Sequence, residues 1–183
     1  TILEDPMHIN TPNADSTQQL QQLIAKSPFL TLTNSQELYP DSAGTGLPLL
    51  TVETPLCSAV ISLQGAHLLE FKTTNGDPLL WLSPNCDFTP GTALRGGVPL
   101  CLPWFGVNQQ DPTKPKHGFA RNQFWILSGA RQQSDGSVEL EFLFQSDAND
   151  LFAYDFSAEV RMTLGHSAKI ELAINNTDTN DFN

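Results

Sequence analysis

The sequence predicts an all-β domain, a sandwich or a barrel, preceded by a short N-terminal helix. From residue 49 onward, short apolar runs recur between turns that contain Gly, Pro, Asn or Asp. In the later runs apolar and polar residues alternate, which indicates strands that bury one face. Many short alternating strands at this spacing are typical of sandwiches and barrels. The 183 residues suffice for one domain with a core.

Residues 1–48 are predicted to form an extension made of one helix and a linker. The stretch STQQLQQLIAKS, which begins at Ser16, places three leucine and isoleucine side chains on one helical face. Ser16 and Gln19 are expected to form a capping box at its start, and Pro28 ends it. The stretch from there to Pro48 is rich in Ser, Thr, Asn, Gly and Pro, which favours a linker.

Strands are predicted next, in chain order. The first four are short apolar runs at 49–54, 58–62, 66–72 and 79–82. Two hairpins follow around polar turns, pairing 124–129 with 137–145 and 154–164 with 168–175. The alternation predicts one buried face for the first hairpin, formed by Val138, Leu140, Phe142 and Phe144. In the second hairpin it places Ile170, Leu172 and Ile174 on one face.

The composition argues against several classes of function. Nine Lys and Arg residues stand against twenty Asp and Glu, a net charge of −11, so nucleic acids and anionic membranes would repel the chain. It contains no apolar run near the ~20 residues of a membrane span, and no signal-peptide pattern. Three cysteines without a CxxC pair fit reduced thiols, so we expect a cytoplasmic protein.

One stretch, residues 83–123, breaks the strand pattern and is called the basic segment below. It is rich in Pro and Gly, and a loop of this length inside a compact domain is usually functional. It holds four of the nine basic residues, although the chain as a whole is acidic. They are Arg95, Lys114, Lys116 and Arg121, and between 95 and 121 the only acid is Asp111.

The basic segment predicts a site for a small anion, with a phosphorylated sugar as the candidate ligand. Arg95 precedes Gly96 and Gly97, where the backbone can approach a ligand closely, and a guanidinium group suits forked recognition of phosphate. Trp104 and Phe105 are candidates for stacking on the apolar face of a sugar ring. The alternatives are that the cations are solvated or paired with the abundant acids, and that the aromatic residues pack in the core.

Among the histidines, His117 is the candidate for this site. Neighbouring cations favour its neutral ring, which can donate to or accept from sugar hydroxyls. His67 lies in a predicted strand and is expected to be structural, while His166 in a turn is expected to be exposed and His8 inert. A metal site formed by His67, His117, His166 and a carboxylate is a further alternative, without an HxH or HxxxH pair to support it.

Four stretches, in order, carry a resemblance to a known family: SLQGAHLLEFK, LLWLSPN, ALRGGVPLCLPWFG and KHGFARNQFW. They resemble the hexose-6-phosphate mutarotases, also called glucose-6-phosphate 1-epimerases, of the aldose 1-epimerase family. The resemblance runs from about residue 49 to the end of the chain. It implies a galactose-mutarotase-like β-sandwich that interconverts the α and β anomers of an aldose 6-phosphate, with no metal and no organic cofactor.

The resemblance also implies roles for single residues. Arg95 and Arg121 match arginines that hold the substrate's anionic group, and His117 matches a histidine at the sugar. Lys116 stands where some relatives have a ligand-contacting glutamine, which leaves its role open. The family's catalytic histidine and glutamate lie further along the chain than Asn183.

We therefore expect residues 49–183 to form the N-terminal portion of the sandwich, truncated before the catalytic pair and inactive alone. Phe182 is expected to begin the next strand. A sandwich cut between strands would expose an edge through which copies of the chain could associate. The alternative is a non-catalytic sugar- or phosphosugar-binding module.

Overall fold

A computed structural model describes residues 10–181. The expectations for His8 and Phe182 lie outside these residues. Within residues 10–181 the chain forms two α-helices and eight strands, and the strands are divided equally between two antiparallel sheets. The all-β prediction with a short N-terminal helix is confirmed.

The first sheet has the order β1-β2-β3-β4, so that each strand pairs with its neighbour in sequence. Its strands are β1 (Leu30–Asn34), β2 (Pro48–Glu53), β3 (Cys57–Ser62) and β4 (His67–Thr73). A short helix, α2 (Ser35–Leu38), follows β1 directly. The turn between β3 and β4 is fully buried, because other parts of the chain pack around it.

The second sheet repeats this meander in the order β5-β6-β7-β8. Its strands are β5 (Ile126–Gln132), β6 (Val138–Ser146), β7 (Phe156–Leu164) and β8 (Ala168–Asn176). The two predicted hairpins are present, since β5 pairs with β6 and β7 with β8. A bulge between Leu127 and Gly129 shifts the β5–β6 register by one residue.

The main core lies between the two sheets and takes residues from both. Val52, Ile61 and Leu68 of the first sheet belong to the same buried cluster as Phe142 and Val160 of the second. The predicted alternation of β6 is confirmed, since Val138, Leu140, Phe142 and Phe144 are all buried. On the opposite face of the second sheet, cross-strand ion pairs join Arg131 and Arg161 to Glu139 and Glu141.

A smaller core covers the outer face of the first sheet. Leu49 of β2 and Leu69 of β4 point away from the main core and pack against Phe88 and Leu94 of the basic segment. The basic segment is thus fixed to the sheet by a hydrophobic cluster of its own. The start of β4 is covered on both faces, since Leu68 packs in the main core and Leu69 in the smaller one.

Three local predictions were wrong. The N-terminal helix, α1, spans Ala14–Lys26, and the side chain of Asn13 rather than that of Ser16 caps it. The predicted linker contains β1, which pairs with β2 along its whole length. The apolar run 79–82 forms no strand, and two of its side chains are largely exposed, Leu79 at 68% and Trp81 at 67%.

Strand β8 forms one edge of the second sheet. Leu172 and Ile174 lie opposite Val160 and Ala158, so they extend the apolar inner face of β7. They are nevertheless 43% and 48% exposed, because little of the described chain covers them. This edge is the place to which the predicted self-association applies, and that prediction stays untested.

Candidate functional site

The two arginines of the predicted anion site lie on separate loops that meet at the β3–β4 turn, residues 63–66. Arg95 is exposed, and its backbone N–H donates to Cys86 Sγ at 3.4 Å. The carbonyl of the next residue, Gly96, lies 2.7 Å from the ring of His67, which follows the turn. The loop that carries Arg95 is therefore fixed to the start of β4.

Gly96 and Gly97 allow the loop to approach the backbone of Trp81 and Leu68, while the close approach of a ligand that the sequence suggested stays a prediction. Both have positive φ angles, at 119° and 61°. A β-carbon on Gly96 would collide with the carbonyl of Trp81, and one on Gly97 with the carbonyl of Leu68. Glycine is required at both positions because backbone occupies the space that a side chain would need.

Arg121 lies in a 3₁₀ turn, Ala120–Asn122, and is partly buried. Its Nη2 donates to the carbonyl of Lys116 at 3.0 Å, which directs the guanidinium toward the H-G-F-A-R loop. Its Nε is buried and has no hydrogen-bond partner among the described residues. A buried N–H without an acceptor is costly, so the guanidinium is less than fully satisfied by the protein itself.

The cations of the basic segment have different surroundings from the cations of the second sheet. The described residues contain ion pairs for Arg131, Arg161 and Lys169, all on the second sheet. No such pair is formed within residues 10–181 by the four cations of the basic segment. Lys114 instead donates to the carbonyl of Leu151 at 2.7 Å. Lys114 lies close enough to Asp111 for its charge to act on that carboxylate, whereas Arg95, Lys116 and Arg121 form no ion pair within the described residues. The charge of these three residues is therefore available to an anionic ligand.

His117 is held in one orientation by two bonds to Gly106. Its backbone N–H donates to the Gly106 carbonyl at 2.7 Å, and the Gly106 N–H donates to its Nδ1 at 3.1 Å. Because the backbone N–H can only donate, the neutral ring carries its proton on Nε2. His117 also has a φ of 67°, which is uncommon for a residue other than glycine and is often seen at functional sites.

His67 is the second histidine beside the arginines, and its side chain is buried. Burial lowers the pKa of His67 from 6.5 to about 4; the bond to Gly96 opposes this and the charge of Arg121 adds to it. The ring is therefore neutral at physiological pH, and it donates from Nε2 because the Gly96 carbonyl can only accept. The expectation of a structural role agrees with this environment, but the contact of His67 with the Arg95 loop was not foreseen.

The two candidate aromatic residues have different surroundings. Trp104 is half-buried, packs edge-on against Phe119, and donates from Nε1 to the Pro115 carbonyl at 3.0 Å. Phe105 is 79% exposed and contacts the His117 ring edge-on, with 4.7 Å between ring centroids. Phe105 is thus available to a ligand beside His117, while Trp104 joins the basic segment to the core.

Sequence reasoning missed two residues near the site. Gln64, fully buried in the β3–β4 turn, donates to the Thr92 carbonyl and accepts from the Gly91 N–H. Trp81 exposes its side chain while its carbonyl accepts from the Gly97 N–H. The only sequence signal for either was its place within a stretch that carries the family resemblance.

The alternative of a metal site is not supported. Residues 10–181 hold no group of three or more His, Cys, Asp and Glu side chains arranged to ligate a metal ion. His166 is exposed in the β7–β8 turn, whereas His67 is buried beside Gly96.

Within residues 10–181, neither helix has the length and apolar character needed to cross a membrane.

Comparison with known proteins gives a consistent result. The sequence profile of the aldose 1-epimerase family matches residues 48–183. A Salmonella typhimurium protein named "Putative glucose-6-phosphate 1-epimerase" is 44% identical over 128 residues, which are 69% of this chain and 43% of that protein. A protein of the same name from Escherichia coli is 39% identical over 127 residues, with the same coverage of both chains.

A solved structure shares the fold. The crystal structure of a "putative mutarotase" from Salmonella typhimurium superimposes with a TM-score of 0.72 and 35% identity, over 86% of this chain and 52% of that one. The matched part of the chain covers about half of that solved structure and less than half of the two curated relatives. The predicted sandwich architecture is confirmed by this likeness.

Proposed function

The chain belongs to the aldose 1-epimerase family, and we propose that the protein interconverts the α and β anomers of an aldose 6-phosphate. In this proposal the described residues supply the anion-binding side of the site. The observation that carries it is the set of cations in the basic segment that form no ion pair within residues 10–181, beside a histidine of fixed orientation. The names of the relatives support glucose 6-phosphate as the first substrate to test.

Each residue has a role that follows from its surroundings. Arg121 and Arg95 bind the phosphate, for which the forked guanidinium group is suited. His117, with its proton on Nε2, donates to a sugar oxygen. Phe105, exposed beside His117, packs on the apolar face of the sugar ring. Convergence of the two guanidinium groups on one phosphate stays a prediction.

Mutarotation needs an acid and a base, and the histidines described above are poorly suited to supply the base. The reaction removes the proton of the anomeric hydroxyl and protonates the ring oxygen, so that the ring opens and recloses on the other face of C1. His117 uses its basic Nδ1 to accept from Gly106. The lowered pKa of His67 makes it a weak base. Asp111, the acid of the basic segment nearest to His117 in sequence, accepts from both the N–H and the hydroxyl of Thr113.

We infer that these 183 residues bind the substrate and that residues outside them supply the acid and base. The test is anomer exchange of glucose 6-phosphate, measured by NMR for this chain and for the product of its full reading frame. The full product is expected to accelerate exchange, and the 183-residue chain to match buffer alone. Exchange catalysed by the 183 residues would contradict the assignment, and a His117→Ala variant would then identify the group responsible.

A further inference from the structure

We propose that the β3–β4 turn, through Gln64, Gly65 and the adjoining His67, is a positioning element that sets the two arginine loops relative to each other. This inference rests on the proposed function, because it takes Arg95 and Arg121 to be the anion-binding groups. None of these three residues needs to touch the ligand. Their role is to join two loops that are far apart in sequence and that share no sheet ladder.

Gln64 fixes the loop that leads to Arg95. Its Nε2 donates to the Thr92 carbonyl at 2.8 Å, and its Oε1 accepts from the Gly91 N–H at 2.7 Å. The amide therefore satisfies one donor and one acceptor of a turn that lies outside every strand. The Gln64 side chain is fully buried, and both ends of its amide are bonded. It therefore holds the loop at a fixed position relative to the first sheet.

His67 fixes the same loop at a second point, beyond Arg95. Its Nε2 donates to the Gly96 carbonyl at 2.7 Å. Arg95 thus lies between two anchors, at residues 91–92 and at Gly96, which are held by the β3–β4 turn and by the residue that follows it. This arrangement restricts the backbone of Arg95 although its side chain is exposed.

Gly65 fixes the other loop, the one that carries Arg121. Its N–H donates to the Gln123 carbonyl at 2.8 Å. It has a φ of 79°, and a β-carbon there would lie 2.6 Å from the Arg121 carbonyl. The turn therefore contacts the Arg121 backbone directly. The Arg95 loop and the Arg121 loop are thus both held by the β3–β4 turn.

The physical advantage is preorganisation. Two exposed loops would have to lose backbone freedom when they close on a phosphate, and that entropy would weaken binding. A buried turn that holds both loops removes this cost before the ligand arrives. A displacement of either arginine by about 1 Å is enough to weaken its contact strongly.

The test uses the product of the full reading frame and two variants, Gln64→Met and His67→Leu. Methionine keeps the length of the side chain but removes the donor and the acceptor. We expect amide hydrogen exchange in residues 91–97 to accelerate about tenfold or more in each variant, because these amides lose an anchor. We expect the affinity for inorganic phosphate and for glucose 6-phosphate to fall about tenfold. His67→Gln, which can place an amide N–H near the position of Nε2, is expected to restore most of both properties.

The matched control is Thr54→Val, which replaces by a methyl group the hydroxyl that holds the turn at the opposite end of β3. Thr54 Oγ1 accepts from the N–H groups of Leu56 and Cys57. This variant should loosen the turn between β2 and β3, and change neither the exchange of residues 91–97 nor phosphate affinity. If it weakens phosphate binding as much as Gln64→Met, the effect is one of general stability and the inference is overturned.

Two further outcomes separate this inference from the proposed function. If exchange of residues 91–97 is unchanged in Gln64→Met and in His67→Leu, the turn does not position the loops and the inference is overturned. If Arg121→Ala retains full phosphate affinity, the arginine does not bind the anion and the proposed function fails, whatever the exchange data show. Loosened loops together with weakened phosphate binding and rescue by His67→Gln support the inference.

Discussion

Replacement of Arg121 by Ala tests the central element of the proposed site. The guanidinium is partly buried, bonds one protein carbonyl through Nη2, and forms no ion pair within residues 10–181. A charge-assisted hydrogen bond contributes about 1.5–3 kcal/mol, which corresponds to a loss of roughly 10- to 150-fold in affinity. We expect Arg121→Ala to weaken binding of glucose 6-phosphate and of inorganic phosphate by that factor, and to leave glucose binding nearly unchanged.

The assay is isothermal titration calorimetry on the full reading-frame product with each of the three ligands. Arg161→Ala is the control, since it also removes an arginine but one that pairs with Glu139 and Glu141 on the outer face of the second sheet. The pKa of His67 in the Arg121→Ala variant checks independently that the Arg121 guanidinium lies near His67. That pKa should rise in Arg121→Ala, because the guanidinium charge is one of the causes that lower it.

Two results would refute the reasoning. Equal losses for glucose and glucose 6-phosphate would mean that Arg121 shapes the sugar site and does not bind the phosphate. An equal loss of phosphate affinity in Arg161→Ala would mean that overall charge, and not a local contact, attracts the anion. Arg121→Lys separates charge from geometry, since lysine keeps the charge without the fork, and an intermediate affinity is expected.

Three further predictions concern stability and the sugar ring. Folding lowers the pKa of His67 from 6.5 to about 4. Between these two pH values the unfolded chain binds a proton at His67 that the folded chain does not bind. The free energy of unfolding should therefore fall by up to about 3 kcal/mol as the pH drops from 7 to 4. Urea unfolding at several pH values measures this, and the same slope in His67→Gln would contradict it. Phe105→Ala should weaken the binding of glucose and of glucose 6-phosphate by similar factors without lowering the melting temperature. Trp104→Ala should instead lower the free energy of unfolding by about 2 kcal/mol, because it removes a half-buried ring and its bond to Pro115. The reverse pattern in calorimetry would exchange the roles of the two residues. Asn10→Ala removes two hydrogen bonds between the Asn10 amide and the backbone of Phe124, at 2.9 and 2.7 Å. This variant should lower the free energy of unfolding by about 1–2 kcal/mol in urea. An unchanged urea midpoint would show that these two bonds add no stability.

The sequence determined those parts of the fold that depend on neighbours along the chain. The strands β6 and β7 and the turns of both hairpins follow from a period of two residues and from turn-forming residues, which act over a few positions. The excess of cations over acids in the basic segment was also visible, because it is a property of one stretch. The end of α1 before Pro28 was predicted for the same reason.

The tertiary structure decided everything that depends on contacts between distant residues. The stretch that contains β1 is rich in turn-forming residues, and Leu30–Asn34 becomes a strand only because β2 supplies its hydrogen bonds. The apolar run 79–82 predicts a strand, yet it lies beside the Gly96–Gly97 loop without a ladder of its own. A period in the sequence reports which face of a strand is buried and not whether a partner strand is present.

The site shows the same division at the level of single side chains. Nothing local marks Gln64, because its partners are 27 and 28 residues away. The neutral state of His67 comes from its burial in the folded chain, where its bonding partner Gly96 is 29 residues away. The proton on Nε2 of His117 is set by the N–H of Gly106, eleven residues earlier. The sequence thus supplied the chemical groups, and only the packed chain decided their orientation and protonation, because both are set by desolvation and by hydrogen-bond partners that folding brings together.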